Sequence, residues 1–219
     1  MSVRNTVAIA ALSAVSVVVA GCSSGDDKVE TTTSPSVTVP VSANVTLPPG
    51  PAELTAPGQA LRWADTAILP ADAFRPDQQL AGFTVTGIEP GVEGDLPESF
   101  THGGSPFYVH LTVTQAVDRQ RNAMSTAGFA GSADGVAPAL TLTPPDNFTK
   151  CQANKRPPTL AKGQSFATCL VALADPGTSL TRVIYWADTG ESSFDYKSAP
   201  VVWSDGTPLV PSGSAVPTT

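Results

Sequence analysis

Phe107, Val109, Leu111 and Val113 alternate strictly with Tyr108, His110, Thr112 and Thr114, and this period of two is the strongest constraint on what the chain can fold into. Successive side chains of an extended strand point to opposite sides, so one set faces a core and the other faces the second side of a sheet. Shorter patterns of the same kind run over Leu61 to Leu69, Phe83 to Ile88, Ala139 to Thr143, Phe166 to Leu173, Leu180 to Ala187 and Pro200 to Trp203. About seven strands are therefore expected, separated by turn formers such as Glu89-Pro90-Gly91 and Asp175-Pro176-Gly177. Beyond residue 22 no window keeps a capped helical period free of Pro and Gly. Ala116 to Ala127 comes nearest, but it has no clean apolar face and reads as a long connection between strands. Strands without intervening helices do not form parallel crossovers easily, so the expected fold is all-β, an immunoglobulin-like antiparallel sandwich. A closed barrel is the alternative.

The fourteen aromatic residues all lie between Trp63 and Trp203, which puts one folded domain at residues 58 to 205, close to the commonest domain size. Residues 22 to 57 are read as a tether. Positions 23 to 57 hold 5 Ser, 6 Thr and 6 Pro and no aromatic residue, too little apolar surface to offset the entropy of ordering them. The ending, residues 206 to 219, is read as a frayed tail.

Ahead of the tether, Arg4 precedes a stretch without charge from Thr6 to Gly21, followed by Val19-Ala20-Gly21-Cys22. Residues 1 to 21 thus have the positive start and short apolar centre of an export signal, and are too short and Ala/Ser-rich for a spanning helix. The final four residues resemble the lipobox of bacterial lipoproteins, in which the Cys receives a diacylglyceryl group. The resemblance implies cleavage before Cys22 and anchoring through lipid on that residue to the outer face of the cell membrane, with acyl chains enough for stable attachment.

The full chain has a formal charge of −7, and removing Arg4 with the signal leaves −8. Nucleic acids and anionic membrane surfaces reward a basic face, so neither is expected as a partner. Cys151 and Cys169 are the two thiols left after Cys22, and in an oxidising compartment an even pair reads as one structural disulfide.

The run Phe107 to Val113, Cys151 in a loop, the segment Leu160-Ala161-Lys162-Gly163-Gln164-Ser165-Phe166-Ala167-Thr168-Cys169-Leu170-Val171, and the strand Arg182-Val183-Ile184-Tyr185-Trp186 together resemble the immunoglobulin-like extracellular domain of actinobacterial lipoproteins and secreted antigens, typified by the mycobacterial immunoprotective secreted antigen. The resemblance covers residues 60 to 190. It implies a two-sheet sandwich outside the cytoplasm that acts in protein interaction, and it carries over no catalytic residue.

A search for chemistry returns candidates that each have a plainer reading. His102 and His110 are the only histidines. His110 lies on the second face of the strongest strand, and His102-Gly103-Gly104 resembles an esterase oxyanion loop but has no G-x-S-x-G elbow to serve. Glu89, Glu93, Asp95 and Glu98 could gather around Ca²⁺, yet their spacing fits no EF-hand loop and a solvated acidic loop is favoured. Asp65, Asp72 and Asp77 invite the same reading. Lys150, Lys155, Arg156 and Lys162 form a local basic region near the disulfide, read as a solvated face. Trp63, Trp186 and Trp203 could make a sugar- or lipid-contacting platform, but Trp186 shares parity with Leu180 and Ile184 and is expected in the core. No catalytic, cofactor or metal residue is therefore assigned. The expected role is a binding or accessory module for an envelope protein rather than an enzyme. A carrier of a small apolar ligand, with a cavity between the sheets or under the long connection from Asp118 to Ala137, is the alternative, and a hydrolase comes third.

Overall fold

Two sheets pack face to face in the computed structural model, which describes residues 38–74, 79–118, 124–152, 157, 159–190 and 192–206. The signal segment, Cys22, the start of the tether, Asp77, Lys155, Arg156 and the tail from residue 207 lie outside the described residues. Nine strands follow one another: β1 (Ala60–Arg62), β2 (Thr66–Pro70), β3 (Leu80–Pro90), β4 (Ser105–Gln115), β5 (Phe129–Ser132), β6 (Leu140–Leu142), β7 (Ser165–Ala174), β8 (Arg182–Tyr185) and β9 (Val201–Ser204). One sheet has the order β1-β9-β8-β5 and the other β2-β3-β4-β7-β6. Every ladder is antiparallel except β1 with β9. The all-β sandwich expected from the alternation is the observed fold.

Two strands beyond the expected seven have identifiable causes. The run Leu61 to Leu69 is broken by Ala64, which takes a left-handed conformation with φ 70°. The turn is fixed by the amide of Arg62 donating to the Asp65 carboxylate at 2.8 Å. The chain changes sheet here, Trp63 N–H donating to Ser204 and Ala64 N–H to Val85, and one run becomes two strands in different sheets. The second addition, β5, lies inside the supposed long connection from Asp118 to Ala137. Its four residues, Phe-Ala-Gly-Ser, are too few and too small to declare a period.

Phe83, Val85, Phe107, Val109, Leu111 and Val113 of the larger sheet meet Phe129, Val183, Tyr185, Val201 and Trp203 of the smaller one. Phe129 sits at the centre, with ring centroids 4.9 Å from Phe83, 5.1 Å from Tyr185 and 5.8 Å from Trp203. Gly131 lets the sheets approach, because a Cβ there would stand 2.8 Å from both Ala172 Cβ and Leu180 Cδ1. The parity inferred for Trp186 is corrected. It shares a face with Ile184, but that face points away from the core, where Ile184, Val202 and Ala130 form a separate cluster. The core-facing residues of β8 are Val183 and Tyr185, and Leu180 reaches the core from the preceding turn.

Two buried tyrosines of this core should respond oppositely to loss of their hydroxyls. Tyr196 Oη donates to the Thr55 carbonyl at 2.7 Å, whereas Tyr185 Oη is buried with no hydrogen-bond partner among the described residues. Burial pushes both phenol pKa values up, that of Tyr196 to about 12. Tyr196→Phe is expected to cost about 1 kcal/mol, and Tyr185→Phe to be neutral or stabilising, because an unsatisfied buried hydroxyl is itself a penalty. Thermal melts of the two variants check this contrast.

The second face of the larger sheet is also covered, in two halves. Over one half lie Leu96, Phe100, Phe148 and the disulfide, packed on Tyr108, Val171 and Leu173. Over the other run residues 38–57, which sequence reasoning assigned to the tether. They are seated by Ala43 N–H on Thr112 Oγ1 at 2.9 Å, by Thr86 Oγ1–H on the Pro40 carbonyl, and by Thr55, whose amide donates to Ile68 O at 2.8 Å while its Oγ1 accepts from Ile68 N–H at 2.9 Å. Residues 38–57 thus pack with the domain that was expected to start at residue 58. The physical reason lies in β3. Gly82 and Gly87 leave hollows for Leu47 and Val39, whose methyls approach to 3.0 and 2.7 Å of where a Cβ would stand, and threonine hydroxyls supply hydrogen bonds that a segment without a sheet partner otherwise lacks.

Candidate functional site

β5 and β6 are the edge strands of their respective sheets, and they stand beside each other where the sandwich is open, joined by Ala139 N–H donating to Gly131 O at 2.8 Å. Between them runs a groove of about 600 Å³ lined by residues 125–130, residues 138–143, Leu170 and Trp186. None of these side chains is charged. Leu140 is 58% exposed at its rim, and Trp186 is half-buried beside the outer cluster of the smaller sheet. The turn from Ser132 to Ala137 is firm. Asp134 accepts from Val136 N–H and Ala137 N–H at 2.8 Å each, and from Ser132 Oγ–H at 3.1 Å. These bonds, the two backbone ones foremost, hold its carboxyl pKa below the usual carboxylate value. The groove therefore has a preformed shape with main chain along both walls, suited to an extended, uncharged segment.

Other sequence candidates fall elsewhere. His110 is buried on the second face of the larger sheet, its Nε2 3.2 Å from Glu89 Oε1. His102 is exposed, ending the four-residue helix α1 (Glu98–Thr101) in a left-handed conformation. Among the described residues neither imidazole is hydrogen-bonded to a serine, threonine or cysteine side chain. The acidic loop does not converge. Glu89 turns to His110, while Asp95 meets Lys150 Nζ at 2.6 Å and accepts from Tyr108 Oη at 2.9 Å and Val92 N–H at 2.9 Å. No group of three metal-ligating side chains occurs among the described residues. The three tryptophans do not form one platform, since Trp203 is fully buried with its Nε1–H on Asp65 O at 3.0 Å and Trp63 packs against the core. Cys151 and Cys169 are bonded to each other.

Asp95 gives a pH signature. The Lys150 ammonium, then the Val92 amide and the Tyr108 hydroxyl, hold its carboxyl pKa below the ordinary aspartate range, outweighing the opposing effect of burial. A carboxyl whose folded-state pKa is depressed contributes stability above its unfolded value and loses it as pH falls through the folded one. Acid titration below about pH 4 is therefore expected to destabilise the wild type more than Asp95→Asn, with the two melting curves converging at the lowest pH.

The groove runs along the later part of the connection from Asp118 to Ala137, where the carrier alternative called for a cavity, but its second wall, residues 138–143, was not anticipated in the sequence. Its one legible signal is Leu140, an apolar residue at the exposed end of a three-residue strand. Comparison of the chain with protein-family models, with characterised proteins and with solved structures returns no match.

Proposed function

We propose that this chain is a lipid-anchored envelope lipoprotein whose sandwich is a binding or accessory module, with the groove between β5 and β6 as its contact surface for an extended, uncharged segment of an envelope protein. The observation that carries the reading is the uncharged groove itself, set between two edge strands beside exposed Leu140. Edge strands add main-chain hydrogen bonds to a docked segment, and an uncharged trough of mixed apolar and hydroxyl lining takes its alternate side chains. The export signal and lipobox at residues 1 to 22 support the address, and the resemblance to secreted actinobacterial antigens supports an interaction role.

The carrier reading draws less support. It needs a dry cavity, either between the sheets, where the rings around Phe129 fill the space, or under the connection from Asp118 to Ala137, where the groove is open and lined in part by serine and threonine. A hydrolase would need an activated nucleophile, and the histidines offer none among the described residues.

Mild crosslinking of the anchored protein in its native envelope, followed by mass spectrometry, tests the proposal. A stoichiometric protein partner is expected, with recovery reduced at least about tenfold by Leu140→Asp, as for loss of an interface hot spot. A bound lipid without a protein would favour the carrier instead.

A further inference from the structure

Residues 38–57 have an unusual relation to the surface they cover. Beneath them Thr84, Thr86, His110, Thr112 and Thr114 are all buried, yet none of the twenty covering residues is itself buried. Their apolar contribution is a few half-buried side chains, chiefly Val39, Val45 and Leu47. Their hydrogen bonds cluster at two places, Pro40 with Ala43 and Thr55. Between those places the segment lifts away, leaving a cleft of about 370 Å³ bounded by Pro48 to Glu53 on one side and Ile68, Ala116 and Lys162 on the other.

The face underneath tolerates exposure. Thr66 and Thr84 hydroxyls bond each other at 2.6 Å, Thr114 bonds Ser165 at 2.7 Å, and Thr86 also reaches the His110 carbonyl. Uncovering it would hydrate threonine hydroxyls that already have partners rather than expose the aromatic core, and the costliest single loss is the bond from buried Tyr196 Oη to the Thr55 carbonyl at 2.7 Å. Ordering an extended segment of this length is costly in backbone entropy, and so little burial opposes that cost that docking lies close to balance. Segments of low contact density open locally without global unfolding.

We propose that residues 38–57 form a strap with two positions, docked on the threonine-lined face or released as a unit, and that the strap sets the length of the membrane tether. This rests on the lipid-anchor reading of Cys22. With the strap docked, the anchor and the strap are separated by the 16 positions 22–37, a contour limit of roughly 50 Å. Released, residues 22–57 extend it to roughly 110 Å, at about 3 Å per residue of Pro-rich chain. A domain that must meet an envelope partner would thereby have two working heights.

Amide hydrogen exchange on the full mature chain, read with Thr112→Val as the variant, tests this without depending on the lipid. Membrane retention of Cys22→Ala tests the anchor separately. In the wild type the amides of Ala43 and Thr55 are expected to be protected about 10- to 1,000-fold over an open chain and at least about a hundredfold less than those of β4 and β7. Thr112→Val removes the acceptor for Ala43 and touches nothing at Thr55. A strap moving as a unit should nevertheless exchange several-fold faster at both, with β4 and β7 unchanged. Exchange of Ala43 and Thr55 at the core rate, exchange at the open-chain rate, or acceleration at Ala43 alone would each overturn the proposal. Gly82→Ala, whose added Cβ would stand 3.0 Å from Leu47 Cδ2 of the strap, is expected to give the same coupled acceleration should Thr112→Val fold poorly.

Discussion

Replacing Cys151 and Cys169 together by Ala is expected to lower the domain's stability by about 3 kcal/mol, the chain-entropy value for a closed loop of this size. The two cysteines are 18 positions apart, and both are fully buried beneath Leu96 and beside Tyr108, Val171 and Leu173. In the folded protein the bridge ties the loop after β6 to the outward face of β7. It thereby fixes the cluster that keeps water off half of the larger sheet's second face. In the denatured chain its absence releases conformational freedom, and the loss of packed sulfur atoms adds to the effect. For a domain of this length the shift in Tm should be roughly 6–12 °C. A melt of the double variant beside the wild type, with and without reductant, checks it. The reduced wild type should approach the variant, and coincident melts of all four samples would contradict a stabilising bridge.

The second large effect concerns the address. Cys22→Ala should abolish lipid attachment, so that the protein leaves the detergent phase or accumulates unprocessed with residues 1 to 21 still present. Anchoring by acyl chains accumulates about 0.8 kcal/mol for each buried methylene, so the difference between acylated and unacylated chains is close to all-or-none. On the lipid-anchor reading we propose, the chain after Gly21 is held through Cys22. Its formal charge is negative, and among the described residues no helix is long and apolar enough to cross a membrane. Unchanged membrane retention of Cys22→Ala would mean that Val19-Ala20-Gly21-Cys22 is not read as a lipobox.

The parts of the fold that were legible in the sequence are those where one side of a strand is buried over several residues. Phe107 to Val113 declared β4 because four large apolar residues recur at every second position, and Phe166 to Leu173 declared β7 in the same way. The pairing of Cys151 with Cys169 followed from there being no third thiol beyond Cys22. What escaped depended on contacts distant in sequence. β5 is Phe129 followed by three small residues, and they become a strand because β8 pairs with them. The strap looked unstructured because its own composition cannot drive folding. Its seat is made by glycines of β3 and a hydroxyl of β4, and those positions carry no mark of what covers them. Trp186 was misplaced because parity distinguishes two faces but does not say which faces inward, and the large sheet resolves that only through Val183 and Tyr185. The groove arises where two sheet edges meet, a relation between strands that no local pattern encodes.

The central claim is that the uncharged groove between β5 and β6 is where this domain meets its partner. The most direct measurement places a photo-crosslinking residue at Leu140, on the groove rim, and in a second protein at Val41, an equally exposed position on the strap, 66% accessible against 58%. Both proteins are illuminated in the native envelope. The account predicts a discrete crosslinked partner from Leu140, suppressed when Ala127 on the groove wall is replaced by Arg, and no such product from Val41. Equal crosslinking from the two positions, or a product from Val41 alone, would contradict it.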